Sequence, residues 1–138
     1  MIINCYFDGG YNKEKNGYGS FRIEYESWEG YPIVIMSTEE YPNVETNNEA
    51  EYEALIRLLS FLDGLLPNLS WEERNIIING DSKLTINQTL GVWKVSASNL
   101  MKYRKRASSQ LDLIRFTPNV YVSLNWVDRE QIVAKLGH

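Results

Sequence analysis

The sequence predicts an α/β fold: a five-stranded mixed sheet covered by helices, in the order βββαβααβα. Three observations carry this. The N-terminal part holds three alternating apolar and polar runs joined by short turns, the mark of an antiparallel meander. From Thr46 the apolar period changes to that of a helix. Beyond it, two further runs rich in β-branched residues alternate with helical stretches.

Each element has its own local reason. "IINCYFDG" is β-branched and aromatic, and Gly9–Gly10 is expected to end it. "YNKEKNG" is a polar turn. "YGSFRIEYES" and "YPIVIMSTEEY" read as the second and third strands, with a turn near Glu29–Gly30. Thr46 or Asn47 is the expected N-cap of the first helix, whose acidic first turn suits the helix dipole. That helix should run to about Asp63–Gly64. "RNIIING" is a continuous apolar run and reads as a buried strand. "DSKLTINQTL" is a short helix ended by Gly91. "SASNLMKYRKRASSQLDLIRF" is a longer one, capped by Ser96 or Ser98. "NVYVSLNWV" is the last strand and "REQIVAKL" the last helix.

A chain of 138 residues suits one domain over residues 1–138. Its 43% hydrophobic and 23% charged content places it with soluble globular proteins. No apolar run is long enough to span a membrane. The opening "MIINCYFDGG" lacks the basic start and cleavage site of a secretory signal. Cys5 is the only cysteine, so no internal disulfide forms, and an intracellular, cytoplasmic setting is expected. No protein partner is evident, and a monomer is expected. With His138 the only histidine, a bound metal would rest mainly on oxygen, which favours Mg²⁺ or Mn²⁺. The net charge of −4 weighs against a nucleic-acid binder. Against that stands the local cluster "MKYRKRAS", with Lys102, Arg104, Lys105 and Arg106, which taken alone reads as a solvated helix face.

The acids are the informative residues. On a helical wheel with Glu51 at zero, Leu58, Leu62, Leu55 and Ala54 fall within roughly 60° of it. Glu49 and Glu53 fall at roughly ±160°, and are expected to be solvated. Glu51 therefore sits in the apolar stripe. A carboxylate there is partly exposed at the helix start, paired with an arginine, or bound to a cation. Asp8 ends the first strand, and "DG" can be simply a turn. Asp81 follows the buried strand and can simply cap the next helix. Yet ligand sites in α/β sheets collect at strand ends. Three converging carboxylates would need a divalent cation to stay ionised. Two ions about 3.5–4 Å apart would suit an in-line phosphoryl displacement.

These segments together resemble type 1 ribonuclease H and its relatives. The resemblance is carried by "YFDGG", "TNNEAEYEAL", "INGDSKLTINQTLGVWKV", "SNLMKYRKRASSQLDLI" and "NWVDREQ", in the family's order and over nearly the whole chain. It implies the ribonuclease H-like fold and hydrolysis of the RNA strand of an RNA–DNA hybrid with Mg²⁺ or Mn²⁺, using two ions. It implies Asp8, Glu51 and Asp81 as catalytic metal ligands. It implies substrate contacts from Gly9, Gly10, Asn47, Asn48, Ser82, Asn87, Gln88, Trp93, Lys94 and Lys102, with Arg104 and Lys105 as further phosphate contacts. Tyr103 and Trp93 are the aromatic residues expected at the surface. The tail departs from the family. Lys135 stands where the family's fourth acid is expected, and the family's mobile histidine loop has no counterpart. His138, the C-terminal carboxylate or a water is left for the fourth position, unless His138 is only a frayed end.

Overall fold

The computed structural model describes residues 1–138. The strands are β1 (Ile2–Asn12), β2 (Asn16–Glu26), β3 (Pro32–Tyr41), β4 (Arg74–Gly80) and β5 (Val120–Trp126). The helices are α1 (Asn47–Leu65), α2 (Lys83–Thr89), α3 (Ser98–Arg115) and α4 (Arg129–Leu136). The order is the expected βββαβααβα. One sheet holds all five strands in the order β3-β2-β1-β4-β5. The first three pair antiparallel, while β1, β4 and β5 pair in parallel, so the sheet is mixed.

Gly9–Gly10 does not end β1, which continues to Asn12. The reason lies across the ladder. β2 pairs with β1 past both glycines, with Gly9 opposite Gly19 and Gly10 opposite Tyr18. The parallel ladder to β4 stops earlier, at Tyr6 opposite Asn79. Beyond that rung β4 turns away into α2 and β1 carries on. Asp8 lies on the part of β1 that β4 has left, and Asp81 lies at the point where β4 leaves.

Helix α1 packs between the sheet and α3. Ala54, Leu55, Leu58 and Leu62 are fully buried, with Ile3, Cys5 and Phe7 of β1 beneath them. Leu100, Ala107, Leu111 and Ile114 of α3 close the other side. Thr46 caps α1, its hydroxyl accepting the Glu49 N–H at 3.1 Å. The cap of α3 is neither Ser96 nor Ser98. Ala97 occupies that place and offers no side-chain bond. The opposite face of the sheet carries α4, where Lys135 clasps Glu24 of β2 at 3.0 Å.

Candidate active site

Asp8, Glu51 and Asp81 converge, each offering a carboxylate oxygen within 4.8 Å of the others. Three different elements deliver them. β1 brings Asp8, the first turns of α1 bring Glu51, and the exit of β4 brings Asp81. Gly9 allows the approach. A Cβ there would overlap the Ala50 carbonyl and crowd the Glu51 amide nitrogen at 2.6 Å. The backbone of α1 thus rests directly on β1, one residue from Asp8. Gly9 is buried in this role.

The electrostatics are those of a site short of positive charge. Burial and the Asp8 charge push the Glu51 carboxyl up to about 10. Burial also raises Asp8, with the Asp81 charge adding to it and Arg129 opposing it. The contact between the two carboxyls lowers Asp8 and raises Glu51, which favours the proton on Glu51. Asp8 Oδ1 and Glu51 Oε2 are buried and meet no other donor from the chain. Unpartnered buried carboxylate oxygens are rare and need a reason. An all-oxygen donor set with buried free oxygens fits a hard divalent cation.

Two further residues reach the cluster. The Arg129 guanidinium donates to Asp8 Oδ2 at 3.0 Å and to Asp81 Oδ2 at 2.9 Å. His138 places Nδ1 3.3 Å from Asp8 Oδ2, and its Nε2 lies 2.6 Å from the Ser20 hydroxyl. The sequence reading kept His138 as a candidate and missed Arg129. No local sequence signal marked it. Only in the fold does β5 run beside β4, with Trp126 opposite Gly80, which brings the residues after the last strand beside Asp81. Lys135 does not enter the cluster, because its ammonium is held by Glu24.

The glutamates of α1 need a correction. Glu49 is buried, not solvated. It accepts from Asn99 at 2.8 Å and lies 3.4 Å from the Tyr103 hydroxyl. Glu53 is half-buried and binds Arg57 and Arg106. The wheel located the side of α1 facing the sheet, but α3 covers a second side that the wheel could not register. Tyr103 is buried for the same reason, so it is no surface contact.

The other residues fall into two groups. Asn48, Trp93, Lys94, Lys102, Arg104 and Lys105 are exposed. Asn47, also exposed, accepts the Tyr11 N–H at 2.7 Å and so ties α1 to the end of β1. Asn87 is half-buried and bonds the Lys83 carbonyl. Ser82 caps α2, accepting the Thr85 N–H. Gln88 is buried, accepting from the Tyr52 hydroxyl at 2.7 Å and donating to the Lys94 carbonyl. Both ends of its amide are thus bonded within the chain. Gly10 is half-buried against the Tyr18 ring.

A mixed sheet in this strand order, with helices on both faces, is the ribonuclease H-like fold. The chain belongs to the reverse transcriptase-like family, which it matches over residues 6–134. Its structure is similar to that of RNase H1 from the halophilic archaeon Halobacterium salinarum NRC-1, with a TM-score of 0.69 and 23% identity over 99% of this chain and 92% of that one. An N-terminal RNase H domain from Mycobacterium tuberculosis gives a TM-score of 0.71 at 21% identity, over 98% of this chain and 88% of that one. LC11-RNase H1, solved with an RNA/DNA hybrid, gives 0.69 at 23% identity, over 96% and 90%. These likenesses establish the fold. In sequence the chain is 27% identical over 129 residues to YpeP, an uncharacterized protein of Bacillus subtilis (strain 168). It spans 54% of that curated relative's length. No helix is long and apolar enough to cross a membrane.

Proposed function

We propose that this chain is a metal-dependent endonuclease that hydrolyses the RNA strand of RNA–DNA hybrids, using two ions of Mg²⁺ or Mn²⁺. The observation that carries the reading is the convergence of Asp8, Glu51 and Asp81 with buried oxygens that no donor of the chain satisfies. Asp8 would bridge the two ions, Glu51 would hold one and Asp81 the other. Ions so held supply Lewis acidity for a water nucleophile and charge for the phosphate oxygens. Glu51 carries the proton of the metal-free site, and loses it when the carboxylates are engaged. In that form its carboxylate would orient the attacking water, with Asp8 held by the β1 backbone. His138 stands beside Asp8 and is our candidate for the fourth ligand position. Asn48, Trp93, Lys94 and Lys102, all exposed, would track the two strands, with Asn47 and Ser82 at the helix starts beside the acids and Asn87 further along α2. Polar side chains in a minor groove lined with 2′-hydroxyls would single out the RNA strand.

Labelled hybrid, duplex DNA, duplex RNA and single strands, each with Mg²⁺ or Mn²⁺, test the reading. Cleavage confined to the RNA of the hybrid is expected. Cleavage of another member of the panel would keep the metal site and change the substrate.

A second reading is a binding module of the same fold without catalysis. Lys135, locked to Glu24 in place of a fourth acid, favours it. Calorimetry separates the two, since a binding module takes up hybrid but shows no metal uptake dependent on Asp8 and Asp81.

A further inference from the structure

We propose that Arg129 is a built-in counter-cation: it holds Asp8 and Asp81 together in the metal-free site and gives up that place when a divalent cation enters. The inference rests on the metal-site reading above and concerns this chain's own arginine.

One guanidinium nitrogen, Nη1, serves both acids, at 3.0 Å from Asp8 Oδ2 and 2.9 Å from Asp81 Oδ2. A single donor group bridging two carboxylates occupies the space between them. Those two acids belong to the three-carboxylate cluster, so guanidinium and cation compete for the same two carboxylates. The other basic side chain beside Asp8 is the His138 imidazole, and Glu51 has no basic partner at all. Without Arg129, Asp8 and Asp81 would face each other with little to screen them.

The arginine is also placed to leave. Its side chain is 59% exposed, whereas those of Asp8 and Asp81 are 3% and 9% exposed. The acids are fixed by the sheet and the cation is on a flexible tether. Arg129 is the first residue of α4, directly after the Asp128 cap, whose carboxylate accepts the Gln131 N–H at 3.1 Å. Rotation of the Arg129 side chain into solvent therefore breaks no helix bond. The backbone beneath it stays pinned, with the Val127 N–H on the Gly80 carbonyl at 2.9 Å. Arg129 acts on the acids that would hold the metal, so it is a positioning residue.

The direction of one effect tests this. Two ion pairs with an exposed partner set the scale of the competition, so Arg129→Gln should bind Mn²⁺ about fivefold more tightly than the wild type. Free Mn²⁺ would be followed by electron paramagnetic resonance at low salt on the full chain. Arg129→Lys keeps the charge and should stay near the wild type. In EDTA, Arg129→Gln should melt at a lower temperature than the wild type, and Mn²⁺ should raise its melting temperature by more. A merely structural arginine would give weaker or unchanged Mn²⁺ binding in Arg129→Gln, and that result overturns the proposal. No Mn²⁺ binding by either protein overturns it together with the metal-site reading. Tighter binding in the variant, with no hybrid cleaved by the wild type, leaves the counter-cation standing and removes the nuclease reading.

Discussion

Replacing Glu51 by Gln should make the metal-free protein more stable, although it removes a residue of the site. Folding raises the Glu51 carboxyl from 4.5 to about 10, through burial first and the Asp8 charge second. Below 4.5 the side chain is protonated in both states and contributes no penalty. Above it, the unfolded chain releases the proton and the folded chain keeps it, so stability falls with every pH unit up to about 10. Between pH 4.5 and 7 the loss amounts to at most about 3 kcal/mol. A glutamine has nearly the same shape, and its amide N–H can donate to Asp8 where the Glu51 proton does now. The loss should vanish in Glu51→Gln, which would raise the melting temperature in EDTA by up to about 10 °C at pH 7. Urea or thermal unfolding at pH 5, 7 and 9 reads this directly. The wild type should lose stability across that range relative to the variant. Added Mn²⁺ should stabilise the wild type and leave Glu51→Gln unchanged. A variant equal to or less stable than the wild type in EDTA at pH 7 and 9 would refute the reasoning.

Glu49→Ala should destabilise the fold by about 1–3 kcal/mol, because Asn99 and Tyr103 lose a buried acceptor; equilibrium denaturation would show it. Gly9→Ala forces a methyl group into the Ala50 carbonyl, so α1 must shift at about 1–3 kcal/mol and hybrid cleavage should be lost with it; unfolding curves and a cleavage gel report the two losses. Burial pushes the Glu24 carboxyl up, but Lys135 and Arg22 more than offset this and hold it below the ordinary value. Its ionised form therefore stabilises the fold above the ordinary glutamate range, and that contribution is lost as pH falls through its lowered value. Lys135→Ala should weaken this acid-side dependence in a pH series of melting temperatures, leaving the part that Arg22 supplies.

The element order was legible because each run carries its own period and punctuation. Thr46, Gly30 and Gly91 mark ends that local chemistry alone enforces. Asp8, Glu51 and Asp81 stood out because one is an acid in an apolar stripe and two lie at strand ends. What stayed hidden depends on neighbours remote in sequence. Gly9–Gly10 looked like a terminus because the pairing with β2 that carries β1 onward is not a local property. Glu49 looked exposed because a helical wheel shows one buried side of α1, and α3 makes a second; Tyr103, on α3, is buried against that same side of α1. The bonds of Gln88 to the Tyr52 hydroxyl and the Lys94 carbonyl were likewise out of sight, because they join α2 to α1 and to the loop that follows. Arg129 went unnoticed because nothing in "NWVDREQ" shows that β5 runs beside β4.

The most direct test of the central claim is product analysis of a labelled RNA–DNA hybrid treated with wild-type protein and Asp8→Asn in Mn²⁺. RNA fragments ending in 3′-hydroxyl and 5′-phosphate groups, made by the wild type and absent with Asp8→Asn, are the predicted result. Intact hybrid with folded, Mn²⁺-loaded wild-type protein, or equal cleavage by both proteins, would contradict it.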